Sequence, residues 1–243
     1  MNINIYEQIE LGANNNGYLN NTAITQILPS NKIRTISYKG LFELSEKVSQ
    51  LLLNLKIKKK EKIYISSSDS INFVSSFLGA IKVGVVPIPG NPELSEKQIL
   101  HILNDSLPKI ILTDHRLVKN KLKFVCSIYT NKNWKKFLSE IKYKKIKTRI
   151  SKTSQTAFLI YSSGTTGYPK AIIHQHEIIK NTYFLHQKIL KLKTQDKIYT
   201  TSRLFFAYAL GNNFFAPLLI GLNTIFNDNL IDNPNLTYII KKF

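Results

Sequence analysis

Tyr161-Ser-Ser-Gly-Thr-Thr-Gly-Tyr-Pro-Lys170 lies between two apolar runs, Ala157-Phe-Leu-Ile160 before it and Ala171-Ile-Ile173 after it. Two short β-type runs joined by ten residues rich in Ser, Gly and Thr predict strand, loop, strand. Gly164 and Gly167 open backbone angles closed to other residues, so consecutive N–H groups can turn inward around an anion. Ser162, Ser163, Thr165 and Thr166 add hydroxyl donors, and Lys170 adds a mobile point charge. A polyphosphate suits such a loop. The same residue types also make an ordinary solvated turn, and that reading stands beside the first. A Walker loop is excluded, because Pro169 intervenes where a lysine and a helix should follow the second glycine.

Bulk properties bound the rest. The chain has 243 residues, 43% of them hydrophobic and 11% aromatic, which is a globular composition. One cysteine, Cys126, excludes an internal disulfide framework and a cysteine-based zinc cluster, and fits a reducing compartment. No apolar run approaches the length of about 18 residues that a membrane span needs, and no signal-peptide pattern opens the sequence. A cytoplasmic protein without a membrane partner is the simplest expectation.

The formal net charge is +19. A nucleic-acid or anionic-membrane partner is one explanation. Compositional drift is the other: Lys, Ile and Asn are abundant throughout, whereas arginine, the better reader of phosphates and bases, occurs only four times. The even spread of lysine favours drift. Between Asn131 and Lys152, nine Lys or Arg surround Trp134, Phe137, Ile141 and Tyr143. Basic residues among aromatics can bind nucleic acid, but Trp134, Phe137, Leu138 and Ile141 fall at helical spacing and predict an amphipathic helix with a lysine face.

Elsewhere the pattern alternates strand and helix. Residues 1–32, with the tract Gly12-Ala-Asn-Asn-Asn-Gly-Tyr-Leu-Asn-Asn21, read as a loop-rich lead-in with one short element at each end. Strands are expected at Lys32–Ser37, Lys62–Ser66, Val85–Ile88 and Lys109–Thr113. Helices are expected at Tyr38–Leu55, Ser70–Val83 with Gly84 as its left-handed stop, and from a Ser95 cap through Asp105. This order predicts an α/β fold with a layered, largely parallel sheet and flanking helices. His174 and His176 lack the spacing of a metal site and read as structural.

The ten-residue string Tyr161–Lys170 closely resembles the phosphate-loop signature of the adenylate-forming superfamily, which includes acyl- and aryl-CoA ligases, luciferases and peptide-synthetase adenylation domains. A second stretch strengthens the resemblance: Phe77-Leu-Gly-Ala-Ile-Lys-Val-Gly-Val-Val-Pro-Ile-Pro89, then Asn91-Pro92, then Ile102-Leu-Asn-Asp-Ser106. The string Arg203-Leu-Phe-Phe-Ala-Tyr-Ala-Leu-Gly-Asn-Asn-Phe-Phe-Ala-Pro-Leu218 most resembles benzoate-CoA ligase and related aryl-CoA ligases. On composition alone these aromatics are also ordinary core.

What the resemblance implies is specific. Residues 33–243 would be a partial adenylation domain, the incomplete N-terminal domain of the adenylate-forming fold. Ser162, Ser163, Gly164, Thr165, Thr166, Gly167 and Lys170 would hold the phosphates of ATP. Phe206, Ala207 and Tyr208 would line the acyl pocket. The reaction would activate a carboxylic acid, aromatic and benzoate-like, with ATP and Mg2+ and then transfer it to coenzyme A. The family's Y-G-x-T-E-like and T-G-D segments and its small C-terminal domain with the catalytic lysine are not in this sequence. No catalytic or metal-binding residue is therefore assigned, and this chain alone is expected to be inactive unless a second chain carries the missing half. Two other readings remain open, a non-catalytic ATP-binding or interaction module and a basic nucleic-acid-binding protein.

Overall fold

The structure is a computed structural model; it describes residues 4–114, 121–149, 152–163, 167–227 and 233–243. The chain divides into two compact units. One comprises Met1–Gln8, Phe42–Ser67 and Ser75–Ile178; the other comprises Ile9–Leu41, Ser68–Val74 and Ile179–Phe243.

The first unit is built on β3 (Lys62–Ser66), β4 (Val86–Pro89), β5 (Ile110–Thr113) and β6 (Ser127–Tyr129), in the order β4-β3-β5-β6 with every pair parallel. Parallel neighbours need crossover connections, and helices supply them. α3 (Ile71–Lys82) joins β3 to β4, and α4 (Glu96–Ser106) joins β4 to β5. Strands covered on both faces are apolar throughout, and β4 and β5 are fully buried as a result. Ile99, Ile102 and Leu103 of α4 pack with Tyr64, Val86, Ile88 and Ile111 of the sheet. Ser95 caps α4 through a reciprocal bond with Gln98, and Leu107 closes it in the left-handed conformation. Gly84 ends the α3 segment at φ +74°, as its position predicts.

Beside β4 runs β7 (Thr156–Ser163), which pairs antiparallel with β8 (Pro169–Gln175). α5 (Asn131–Glu140) is the amphipathic helix expected of the lysine-rich segment. Its Trp134 and Leu138 are buried, and the Trp134 indole N–H donates to Ser76 Oγ at 2.9 Å. Phe137 lies 41% exposed, so the buried face is narrower than the spacing implied. α2 (Tyr38–Asn54) has Ser37 Oγ accepting from the Gly40 N–H, and it buries Leu41, Val48, Leu51 and Leu52. Leu55, expected as the last residue of this helix, lies just beyond its end and is 36% exposed.

The second unit holds a mixed sheet of β1 (Thr22–Ile27), β2 (Ile33–Ser37), β9 (Lys197–Tyr199) and β10 (Asn223–Asn227), ordered β2-β1-β10-β9. β1 and β2 are antiparallel; β1–β10 and β10–β9 are parallel. α6 (Ile178–Phe184) continues as a π-helical turn through Ile189. α7 (Ala207–Leu210) leads through a second π turn into α8 (Ala216–Ile220), and α9 (Asn233–Lys242) closes the order. Gly221, at φ +89°, ends α8, and a Cβ there would sit 2.8 Å from the Tyr18 ring. Tyr18 and Tyr38 stack edge to face at 4.9 Å. Their hydroxyls donate to the Leu219 carbonyl at 3.0 Å and the Leu222 carbonyl at 2.7 Å, which pins the turn after α8.

The lead-in is more structured than its composition implied. It carries an element at each end, but the first, α1 (Ile5–Asn15), runs well into the Asn-rich tract. Ile5, Tyr6, Ile9 and Ala13 are buried on one stripe, and that burial outweighs the poor helix propensity of Gly and Asn. Asn4 starts the helix by accepting from the Tyr6 N–H at 3.0 Å.

Candidate functional site

The two strands flank the string as expected but reach further into it: Tyr161, Ser162 and Ser163 belong to β7, and Pro169 and Lys170 to β8. In the β7–β8 ladder Tyr161 is opposite Ala171, Ser162 opposite Lys170 and Ser163 opposite Pro169. The hairpin thus brings Ser162, Ser163 and Lys170 together at the mouth of the loop. Ser162, Gly167 and Lys170 are exposed, so hydroxyl and ammonium are both available to a solvent-borne anion. Gly167 has φ +82°, a left-handed backbone that favours glycine, and among the described residues nothing lies within 4 Å of where its Cβ would be. Gly164, Thr165 and Thr166, central to the expected phosphate cradle, lie outside the described residues, as does the side chain of Ser163.

The stems of this hairpin are held from α4, which the sequence pattern marked only as a helix capped by Ser95. Lys97, His101 and Asp105 recur every four residues and share one helix face. The Tyr161 hydroxyl donates to Asp105 Oδ2 at 2.5 Å. Burial first, then the bond to Asp105 and its negative charge, push the Tyr161 phenol well above its ordinary range. His101 Nε2 donates to the Pro169 carbonyl at 3.1 Å, and its ring lies 4.8 Å from that of Tyr168. Lys97 Nζ sits 5.3 Å from the Tyr168 ring centre. The Tyr168 hydroxyl beside it raises the Lys97 ammonium above its usual range. A cavity of about 480 Å³ runs alongside β7, with Tyr161, Asp105, Ala171, Ile173, Lys60 and Lys62 among its lining.

His174 and His176 each make a defined packing or hydrogen-bond contact. His174 stacks on Phe158 at 4.6 Å with the rings nearly parallel, and burial lowers its basicity. His176 is 2% exposed and accepts the Ile5 N–H at Nδ1. Burial first, and the charge of Lys59 second, push it down to about 4.

In the second unit, Phe206, Ala207 and Tyr208 sit together at the start of α7. Leu204 and Phe205 just before them are buried, while Phe206 is 52% and Tyr208 67% exposed. The segment is tied down on both sides. Arg203 Nη1 donates to the Asn227 carbonyl at 2.9 Å, and the Leu204 N–H donates to Asp69 Oδ1 at 3.0 Å. Past it, Thr224 Oγ1 donates to the Asn213 carbonyl at 2.7 Å. Two aromatic faces are therefore presented outward from a fixed backbone.

Similarity to known proteins follows the same lines. Benzoate–CoA ligase of Thauera aromatica is 29% identical over 188 residues, 73% of this chain and 36% of that protein. The 3-hydroxybenzoate–CoA/4-hydroxybenzoate–CoA ligase of the same organism is 24% identical over 206 residues, 79% of this chain and 39% of that protein. The chain thus spans well under half the length of the curated relatives it matches. Among solved structures, the anthranilate CoA ligase AuaEII in complex with anthranoyl-AMP superposes with a TM-score of 0.89 at 22% identity, covering 100% of this chain and 47% of its own. A benzoate CoA ligase from Burkholderia xenovorans gives 0.84 at 22% identity, over 99% of this chain and 48% of its own. The profile described as AMP-binding enzyme matches residues 12–242, nearly the whole sequence, and this chain belongs to the AMP-binding enzyme family, of which it carries the N-terminal portion.

Proposed function

We propose that the chain is the N-terminal part of an ATP-dependent acid–CoA ligase that activates an aromatic, benzoate-like carboxylate. The observation that carries this is the β7–β8 hairpin, which sets Ser162 opposite Lys170 at the mouth of a Ser/Gly/Thr loop. A carboxylate oxygen would attack the α-phosphorus of ATP, giving an acyl-adenylate and releasing pyrophosphate; the thiol of coenzyme A would then displace AMP. The carboxylate is already a nucleophile, so positioning and charge neutralisation matter more than proton transfer. The loop's N–H groups, with the hydroxyls of Thr165 and Thr166, would bind the β- and γ-phosphates, and Lys170 would add positive charge there. Mg2+ would enter on the triphosphate, whose oxygens suit that hard cation; among the described residues no three acidic, His or Cys side chains converge to form a protein cage.

Phe206 and Tyr208 support an aromatic acid, because exposed rings on a tied backbone can stack on a planar substrate. The aryl-CoA ligases among its relatives act on such acids by their names. In this reading the chain binds nucleotide, and turnover needs a further segment supplied by a longer chain or a second one. A cytoplasmic setting fits a CoA-dependent reaction. The 243-residue chain should bind ATP saturably in calorimetry and lose that binding in the T165A/K170A double variant. It should catalyse no pyrophosphate–ATP exchange with benzoate. Exchange above the double-variant background would defeat the proposal that it is inactive alone. Binding without exchange in every longer form of the protein would favour a non-catalytic nucleotide module.

A further inference from the structure

We propose that the α4 stripe Lys97–His101–Asp105 is a clamp on the phosphate loop, and that His101 is its positioning residue. The inference rests on the reading that the loop takes a polyphosphate. Tyr161 lies in β7, which runs to Ser163, and Tyr168-Pro169 leads into β8; the stripe touches both sides of the hairpin. Asp105 holds the outgoing strand through the Tyr161 hydroxyl. His101 holds the returning one through the Pro169 carbonyl. Proline has no N–H, so this carbonyl is the one backbone polar group through which residue 169 can be fixed. The Tyr168 ring is engaged by the His101 imidazole and by the Lys97 ammonium, a tilted ring contact and a cation–π contact on one side chain.

The clamp stands on a rigid support. α4 is capped at both ends and buries Ile99, Ile102 and Leu103 against the parallel sheet. A loop rich in Gly and Ser loses much conformational freedom when it wraps an anion. Fixing both stems in advance removes part of that loss, so the clamp acts through preorganisation and touches no phosphate itself. Its described contacts fall on Tyr161 of the outgoing strand and on Tyr168 and Pro169 of the returning side.

The test uses the 243-residue chain as wild type, His101→Leu, His101→Gln and Tyr161→Phe. Amide hydrogen exchange is followed in peptides covering residues 161–170, and inorganic triphosphate is titrated with equimolar Mg2+. His101→Leu and Tyr161→Phe should each speed exchange in 161–170 about tenfold and weaken triphosphate binding about tenfold, the scale of one hydrogen bond. Peptides of α4, β3 and β5 should exchange as in wild type. The His101→Gln variant keeps an N–H donor at similar reach and should restore most of the protection. Unchanged exchange in His101→Leu overturns the clamp, as does a rise spread evenly over the whole unit. Triphosphate binding as tight in His101→Leu as in wild type overturns the positioning role. A wild-type chain that takes no triphosphate defeats the polyphosphate reading, a result the exchange comparison keeps separate from the fate of the clamp.

Discussion

His176 carries its proton balance into the stability of the first unit. Its Nδ1 accepts the Ile5 N–H, which requires the neutral ring, and its pKa is pushed down to about 4 from an ordinary 6.5. Above pH 6.5 neither state is protonated and the contribution is complete. As pH falls from 6.5 towards 4 the unfolded chain takes a proton that the folded one refuses, so stability is lost across that window and the loss levels off below it. The size is about 3 kcal/mol by the conversion from pKa to free energy. His174, lowered in the same direction by burial, adds to the trend. Urea midpoints compared at neutral pH and at about pH 4.5 should fall steeply in the wild type and less steeply in His176→Asn, which keeps an acceptor but cannot titrate. Lys82 makes a second residue-level case. It pairs with Glu46 at 3.2 Å with both side chains buried, its Nζ lies 4.1 Å from the Tyr6 ring centre, and Glu46 Oε2 accepts the Ile146 N–H. Lys82→Met should cost about 3–5 kcal/mol by stranding the carboxylate, and Glu46→Leu/Lys82→Met should recover part of it. Equal losses in the single and double variants would argue against that account.

Helices α2 and α3 show how one glycine decides the approach of two elements. A Cβ on Gly79 would lie 2.4 Å from the Ser45 carbonyl oxygen and 2.6 Å from Val48 Cβ. Ser49 Oγ donates across the same contact to the Gly79 carbonyl at 2.8 Å. Alanine favours a helix interior over glycine by about 1 kcal/mol, but here its methyl meets backbone, which cannot swing aside. Gly79→Ala should therefore lower the melting temperature by about 5 °C; an unchanged or raised value would mean the helices part freely. The spacing Gly-Ala-x-x-x-Gly announces both glycines, yet their reasons differ. Gly84 serves a left-handed φ, Gly79 a close crossing. At the same scale α4 couples the first unit's sheet to the hairpin, with apolar residues toward the sheet and Lys97, His101 and Asp105 toward β7 and β8.

The molecule as a whole combines a strong positive charge with some uncovered apolar area. Tyr183, Phe184, Leu185, Ile189 and Leu190 are all exposed around the π-helical turn after α6, and Ile172 and Ile173 are exposed on β8. Exposed apolar side chains clustered on one turn, as after α6, favour self-association. Sedimentation velocity should show concentration-dependent assembly of the 243-residue chain, reduced in a Phe184→Ser/Ile189→Gln/Leu190→Gln variant. The lysine-rich segment that raised the nucleic-acid reading gives that reading little support. Trp134 there is buried and bonded to Ser76, so that aromatic is not displayed to a base. Neutralising Lys132, Lys135 and Lys136 should shift heparin elution only modestly, whereas loss of retention would point to a dedicated polyanion face.

Local signals made much of this protein legible without coordinates. Apolar periodicity, the Ser95 cap, the Gly84 stop and the strand–loop–strand around Tyr161–Lys170 are short-range, since each depends on residues within a turn or a hairpin of one another. They carried the largely parallel α/β fold and the placing of the hairpin's described residues. What adjacency in sequence could not show is which distant side chains share a contact. Asp105 and Tyr161 are 56 positions apart, His101 and Pro169 are 68 apart, and Asn4 reaches the Ile81 carbonyl across 77. The α1 stripe illustrates the same limit, because Ile5, Tyr6, Ile9 and Ala13 became a helix by finding something to bury against, which no count of Asn and Gly could reveal. Propensity and pattern are properties of a window. Burial, the close approach at Gly79 and the grip of α4 on the β7–β8 hairpin come into being only when the chain has closed on itself.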